Sequence, residues 1–166
     1  MPDLLTHAIV GYIIGTTLAF KYEWITPPWV AIAMMGTFIP DLTKIKLVVE
    51  SYQVEQFLGI PFDWFGLHTV GGSIVSVLIG TVLVPSEYRK RVFVLLAIGA
   101  GSHLLLDSFL ITTSGYMSPM LWPITDYGFG MPGFYLSSDR WPAVVAASIA
   151  ALLWLATNTQ KHRTTD

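Results

Sequence analysis

Apolar residues fall into five runs, at 4–20, 29–40, 67–84, 92–111 and 142–157, separated by polar or aromatic-rich stretches. About 20 apolar residues in helical form span a bilayer, and the fourth run has that length. The runs predict an all-α fold: a polytopic transmembrane helical bundle of about five membrane segments, in a single integral-membrane domain covering 1–166. The second and fifth runs are shorter than a full span, so tilt or local thinning is expected there. Pro27 and Pro28 open the second run and suit a helix start. Small residues recur within the runs. Gly11 and Gly15 form a G-x-x-x-G pair, Gly71 and Gly72 are adjacent, and Gly99 and Gly101 flank Ala100. Such residues let helices pack closely in lipid.

The stretch from Met1 to Phe20 lacks a basic leader, carries Asp3 and His7, and is followed by Lys21. It therefore reads as a retained helix and not as a signal peptide. Two long connections remain, 42–66 and 112–141. Loops of this length usually carry function, and their aromatic content suits the membrane–water interface.

Composition sharpens the class. The chain is 53% hydrophobic and 12% charged, against about 25% charged for a soluble domain. Net charge is −2, so no basic footprint for nucleic acid is present. Cysteine is absent, so any metal must be held by His, Asp or Glu. Lys21, Arg89-Lys90-Arg91 and Lys161-His162-Arg163 each follow or join apolar runs. With all three clusters cytoplasmic, five spans alternate consistently, and 42–66 and 112–141 face outside. Lys44 and Lys46 dissent from that assignment.

His103 and Asp107 are the chemical signal of the fourth run. They sit four residues apart, on one helical face, at a depth where an Asp costs roughly 2.5 to 3.5 kcal/mol. On the topology above, Asp107 lies about 6 Å along the axis from the outer end and His103 one turn deeper. His7 falls near the outer start of the first run, Asp41 at the outer end of the second, and His68 at the outer start of the third. Three His and two Asp on one membrane face match a site for zinc or another borderline metal. Five ligands exceed what one catalytic zinc needs, so one or two divalent ions are expected. Two metals about 3.5 to 4 Å apart can clamp an in-line displacement at phosphorus.

In this order, His7, Pro40-Asp41, His68-Thr69 and His103-x-x-x-Asp107 resemble the membrane-bound, metal-dependent hydrolase family known as the YdjM group. The stretch Ser118-Pro-Met-Leu-Trp-Pro123 resembles that group too. The ligand order is also similar to the zinc-dependent phospholipase C and P1 nuclease group of helical phosphodiesterases. That resemblance implies one zinc on Asp41, His68, His103 and Asp107, and a second on His7 with Asp107 bridging. The chain has no His between Asp107 and His162 and no Glu after Glu87, so the resemblance does not extend to a third metal. Asp126 or Asp139 is left as a substitute ligand or base.

Each position also has a purely structural reading. His103 and Asp107 could brace the bundle, Asp41 could form a Pro-Asp turn at an unfavourable helix C-terminus, and His68 and His7 could be interfacial. Asp63 reads as a cap more than a ligand. Arg140 is either a phosphate contact or an interfacial arginine. Thr69, Ser102 and Ser108 are either supports of the ligands or helix-packing residues.

The expected function is hydrolysis of a phosphoester in a membrane lipid or lipid-linked substrate, by metal-activated water. Asp41 and Asp107 are the catalytic carboxylates, with Asp41 or a neighbour accepting the proton. The site is expected to open toward the outer face of the cell membrane. Two other classes compete. A metal-ion or proton-coupled transporter needs a polar route across the bilayer, whereas the inner halves of these runs are apolar. A non-enzymatic scaffold would hold no stoichiometric metal.

Overall fold

All five apolar runs become helices. The computed structural model describes residues 4–111, 119–126 and 133–163. Asp3 and Ser118, both named above, lie outside the described residues. The α-helices are α1 (Leu4–Ala19), α2 (Pro27–Gly36), α3 (Ser51–Leu58), α4 (Val70–Val82), α5 (Arg89–Asp107) and α6 (Trp141–Arg163). Two 3-10 turns, Pro40–Leu47 and Trp64–His68, stand on either side of α3. Among the described residues the remaining regular structure is an isolated bridge between Leu110 and Tyr135.

Helix α2 packs on both α1 and α5, α4 packs on α5, and α6 packs on α1. The core is correspondingly thin. Ile25, Val30, Ala33 and Leu95 form one buried cluster, and Ile39, Val77, Val92, Leu96 and Ala100 another. Apolar side chains also cover the outside: Ile74, Val75, Leu78 and Ile79 on α4, and Val144, Val145, Leu152 and Leu155 on α6, are exposed. A helix that is apolar all round needs an apolar surround.

The five-span expectation holds only in a coarser form. Among the described residues, α6 is the helix long and apolar enough to cross a membrane, through Trp141–Thr159. Helix α5 has 19 residues but begins with Arg89, Lys90 and Arg91 and ends on Asp107. Helices α1 and α4 have 16 and 13 residues, about 24 and 20 Å at 1.5 Å per residue. Helix α2 stops after 10 residues, because Pro40 and the turn it opens take over the end of the second run.

Small residues set the close approaches. A Cβ on Gly11 would lie 2.8 Å from the Met34 Cα, and one on Gly15 would lie 3.1 Å from the Val30 Cα. A Cβ on Gly36 would lie 2.6 Å from the Leu96 carbonyl oxygen and 3.1 Å from the Gly99 Cα. Helices α1, α2 and α5 therefore touch backbone to backbone. Gly101 differs from the pairing expected of it, since nothing lies within 4 Å of a Cβ placed there. At the far end of α5 from Asp107, the Arg91 guanidinium lies over the Trp24 and Trp29 rings.

Candidate metal centre

The Gly36–Gly99 crossing delivers the first candidate ligand. His103 lies one turn beyond Gly99 on α5, and Thr37 directly follows Gly36. The last carbonyls of a helix have no partner within it. Pro40 has no N–H to bond the Thr37 carbonyl through a 3-10 step. That carbonyl instead accepts a hydrogen bond from His103 Nδ1 at 2.6 Å.

Asp41 departs from the sequence reading in a way that favours it. The sequence placed it at a helix C-terminus. The structure ends α2 at Gly36 and starts a new 3-10 turn at Pro40, so Asp41 sits in a first turn. There the helix dipole favours a carboxylate. Its Oδ2 accepts from Lys44 Nζ at 2.8 Å.

His68 closes the second 3-10 turn and is held by caps on both sides. Asp63 accepts from the Phe65 N–H at 2.9 Å, which bears out its reading as a cap. Thr69 accepts from the Gly72 N–H at 3.1 Å and donates to the Gly66 carbonyl at 2.7 Å. Thr69→Ala is expected to lower stability by about 1 kcal/mol, read as a lower thermal midpoint, and to loosen His68. His68 Nδ1 donates to the Pro40 carbonyl at 3.1 Å.

The five residues converge. His7, Asp41, His68, His103 and Asp107 are all buried, with His103 at 0% exposure. Asp107 Oδ2 lies 3.0 Å from His68 Nε2 and 3.5 Å from His103 Nε2, and its Oδ1 lies 3.3 Å from His7 Nε2. The His7 and His103 rings stack at 3.7 Å. Asp107 is the last residue of α5, not a turn inside it as the sequence suggested, but still one turn from His103.

The tautomers decide what this arrangement can hold. His68 and His103 each aim Nδ1 at a backbone carbonyl, which only accepts, so either ring in its neutral form keeps a lone pair at Nε2. Both lone pairs face a carboxylate, which is itself an acceptor. A proton on one ring would relieve one contact and leave the other. A divalent cation would satisfy both rings and the carboxylate together. An imidazole that donates its outer N–H to a carbonyl is the usual support of a metal ligand. His7 Nδ1 and Nε2, His103 Nε2, Asp41 Oδ1 and Asp107 Oδ1 are buried without a hydrogen-bond partner, which fits ion ligands better than a closed polar network.

Two ligand groups emerge, His7 with His103 and Asp107, and Asp41 with His68 and His103, each with donor atoms within 4.8 Å of one another. All five candidate ligands chosen from the sequence are therefore brought together, with His103 common to both groups. Of the three candidate supports, Thr69 caps the turn at His68, and the two serines bond elsewhere. Ser102 and Ser108 donate to carbonyls of their own helix, Gly99 and Leu105. Thr37 and Pro40 do the supporting, through main-chain oxygens that carry no side-chain signal. Asp126 and Asp139 stand outside both groups.

Arg140 is also outside the candidate ligand set but lines a polar cavity. This cavity, of about 270 Å³, is walled by Thr6, Tyr135, Ser137, Ser138, Asp139, Arg140 and Pro142. Thr6 precedes His7 in the chain. The Tyr135 hydroxyl donates to the Leu106 carbonyl at 2.6 Å, next to Asp107. Burial, with the charge of Asp107 adding to it, pushes the Tyr135 phenol up to about 12, so Tyr135 stays a donor at neutral pH.

The family model described as YdjM inner membrane protein matches residues 1–164. No curated protein and no solved structure matches this chain.

Proposed function

The chain belongs to the YdjM inner membrane protein family, and we propose that it is a metal-dependent hydrolase of that membrane, acting on a phosphoester of a lipid or lipid-linked substrate. The observation that carries this reading is the pair of carbonyl-anchored imidazoles whose lone pairs face Asp107. His7, Asp41, His68, His103 and Asp107 would hold one or two divalent ions, with zinc suited to this set of imidazoles and carboxylates. Such an ion supplies a water acidified to near neutrality and a Lewis acid for a phosphoryl oxygen.

The chain's own residues do the rest. Asp107 faces three imidazoles within 3.5 Å and would share an ion with them. The backbone carbonyls of Thr37 and Pro40 fix two of those rings in the ligating tautomer. Arg140 and the hydroxyls of Ser137 and Ser138 line a cavity that Thr6 also borders and offer groups that bind phosphate oxygens, while Asp139 in the same wall accepts from the Leu136 N–H. The order of the candidate ligands resembles that of zinc-dependent phospholipase C and P1 nuclease, and that resemblance implies the same chemistry. The basic cluster around Arg91 at the opposite end supports an outward-facing site.

The test is turnover of phospholipids and of a chromogenic phosphodiester by purified protein in lipid nanodiscs. Activity that chelator removes and zinc restores is the expected result. Equal turnover by metal-free His103→Ala protein would contradict the proposal. Arg140→Ala is expected to raise KM by about 10- to 100-fold, the scale of a lost charged hydrogen bond, while metal content per chain stays at the wild-type value.

A further inference from the structure

We propose that Lys44 is a positioning residue of the metal centre: it occupies one oxygen of Asp41, so that Asp41 offers the ion a single donor atom. This rests on the metal reading above.

The local fold creates the pairing. Side chains three residues apart eclipse in a 3-10 helix, and Pro40–Leu47 is one. Lys44 therefore stacks over Asp41, with Nζ 2.8 Å from Oδ2. The two ends of the pair differ in exposure. The Asp41 side chain is 2% exposed and that of Lys44 is 39% exposed. The ammonium thus reaches in from the rim and ends on a buried carboxylate.

Asp41 Oδ1 is buried without a hydrogen-bond partner, and Asp41 belongs to the group with His68 and His103. A free carboxylate can bind an ion through one oxygen or both. With an ammonium on Oδ2, a second cation on that same oxygen would meet like-charge repulsion at short range. Oδ1 is left as the single donor. Asp41 is then committed as a one-oxygen ligand and is not the proton acceptor. The same pair accounts for a lysine on the side that the positive-inside pattern would clear of bases.

The test uses cobalt as the metal and full-length protein in nanodiscs. Lys44→Gln removes the ammonium, and Lys44→Arg keeps a cation within reach. The expected result for Lys44→Gln is a weaker visible cobalt band and one added oxygen neighbour by X-ray absorption, as Asp41 turns bidentate. Lys44→Arg is expected to keep the wild-type spectrum. In an Asp41→Asn background, Lys44→Gln is expected to change nothing further. A wild-type spectrum and stoichiometry in Lys44→Gln would overturn the assignment of Lys44 while leaving the metal reading in place. Wild-type protein that takes up no cobalt would overturn both.

Discussion

Asp107→Asn is expected to lose the metal while the protein remains folded. Asparagine matches aspartate in volume but removes the charge that faces three imidazoles at 3.0 to 3.5 Å. Changing a residue that merely supports a ligand costs about 10- to 100-fold in metal affinity, so loss of this shared carboxylate should exceed that range. The apo protein should respond in the opposite direction. The introduced amide can donate to the Nε2 lone pairs of His68 and His103, which a carboxylate cannot do. Metal-free Asp107→Asn should therefore unfold at the same temperature as metal-free wild type or higher. If the cluster only braced the bundle, the same change would break buried contacts and lower the midpoint. Zinc competition with a chelator, together with thermal unfolding of both apo proteins, separates the two outcomes.

Gly36→Leu is expected to unseat both the packing and the site. A Cβ at Gly36 would lie 2.6 Å from the Leu96 carbonyl oxygen and 2.9 Å from the Leu96 Cα. These are backbone atoms, so α2 and α5 must separate. Overpacking of this kind costs about 1 to 3 kcal/mol. The separation also pulls the Thr37 carbonyl from His103 Nδ1, whose bond at 2.6 Å is one residue away. Thermal midpoint and bound zinc should therefore fall together. Gly101→Leu is the control, because a Cβ at Gly101 meets nothing within 4 Å. It should change neither quantity, and equal damage from both substitutions would contradict the crossing described here.

The candidate ligands were legible in the sequence because ionisable residues in or beside apolar runs are conspicuous. His103 and Asp107 stand out in an apolar run, and their four-residue spacing survives any shift of the helix end. Asp41 and His68 were found because they border apolar runs on the same predicted face, but their local structure was not. Both lie in 3-10 turns at the ends of apolar runs, and apolar content alone does not separate a turn from a helix end. Pro40 was the available sign, since a proline opens a new turn as readily as it closes a helix. The supports from Thr37 and Pro40 were invisible because they are main-chain oxygens, set by a helix crossing. Lys44 was visible only as an exception to the charge pattern. Its role depends on the eclipsed spacing of a 3-10 turn, which the apolar runs do not encode. The five runs all became helices, but their lengths divide. Trp141–Thr159 of α6 alone among the described residues joins spanning length to unbroken apolarity.

The most direct test of the central claim is the metal content of wild-type protein purified without chelator, measured per chain by elemental mass spectrometry. One or two zinc or similar divalent ions per chain are expected. Protein that is folded, monodisperse and free of divalent metal, and that stays so after zinc is added and the excess removed, would contradict a metal centre at His7, Asp41, His68, His103 and Asp107.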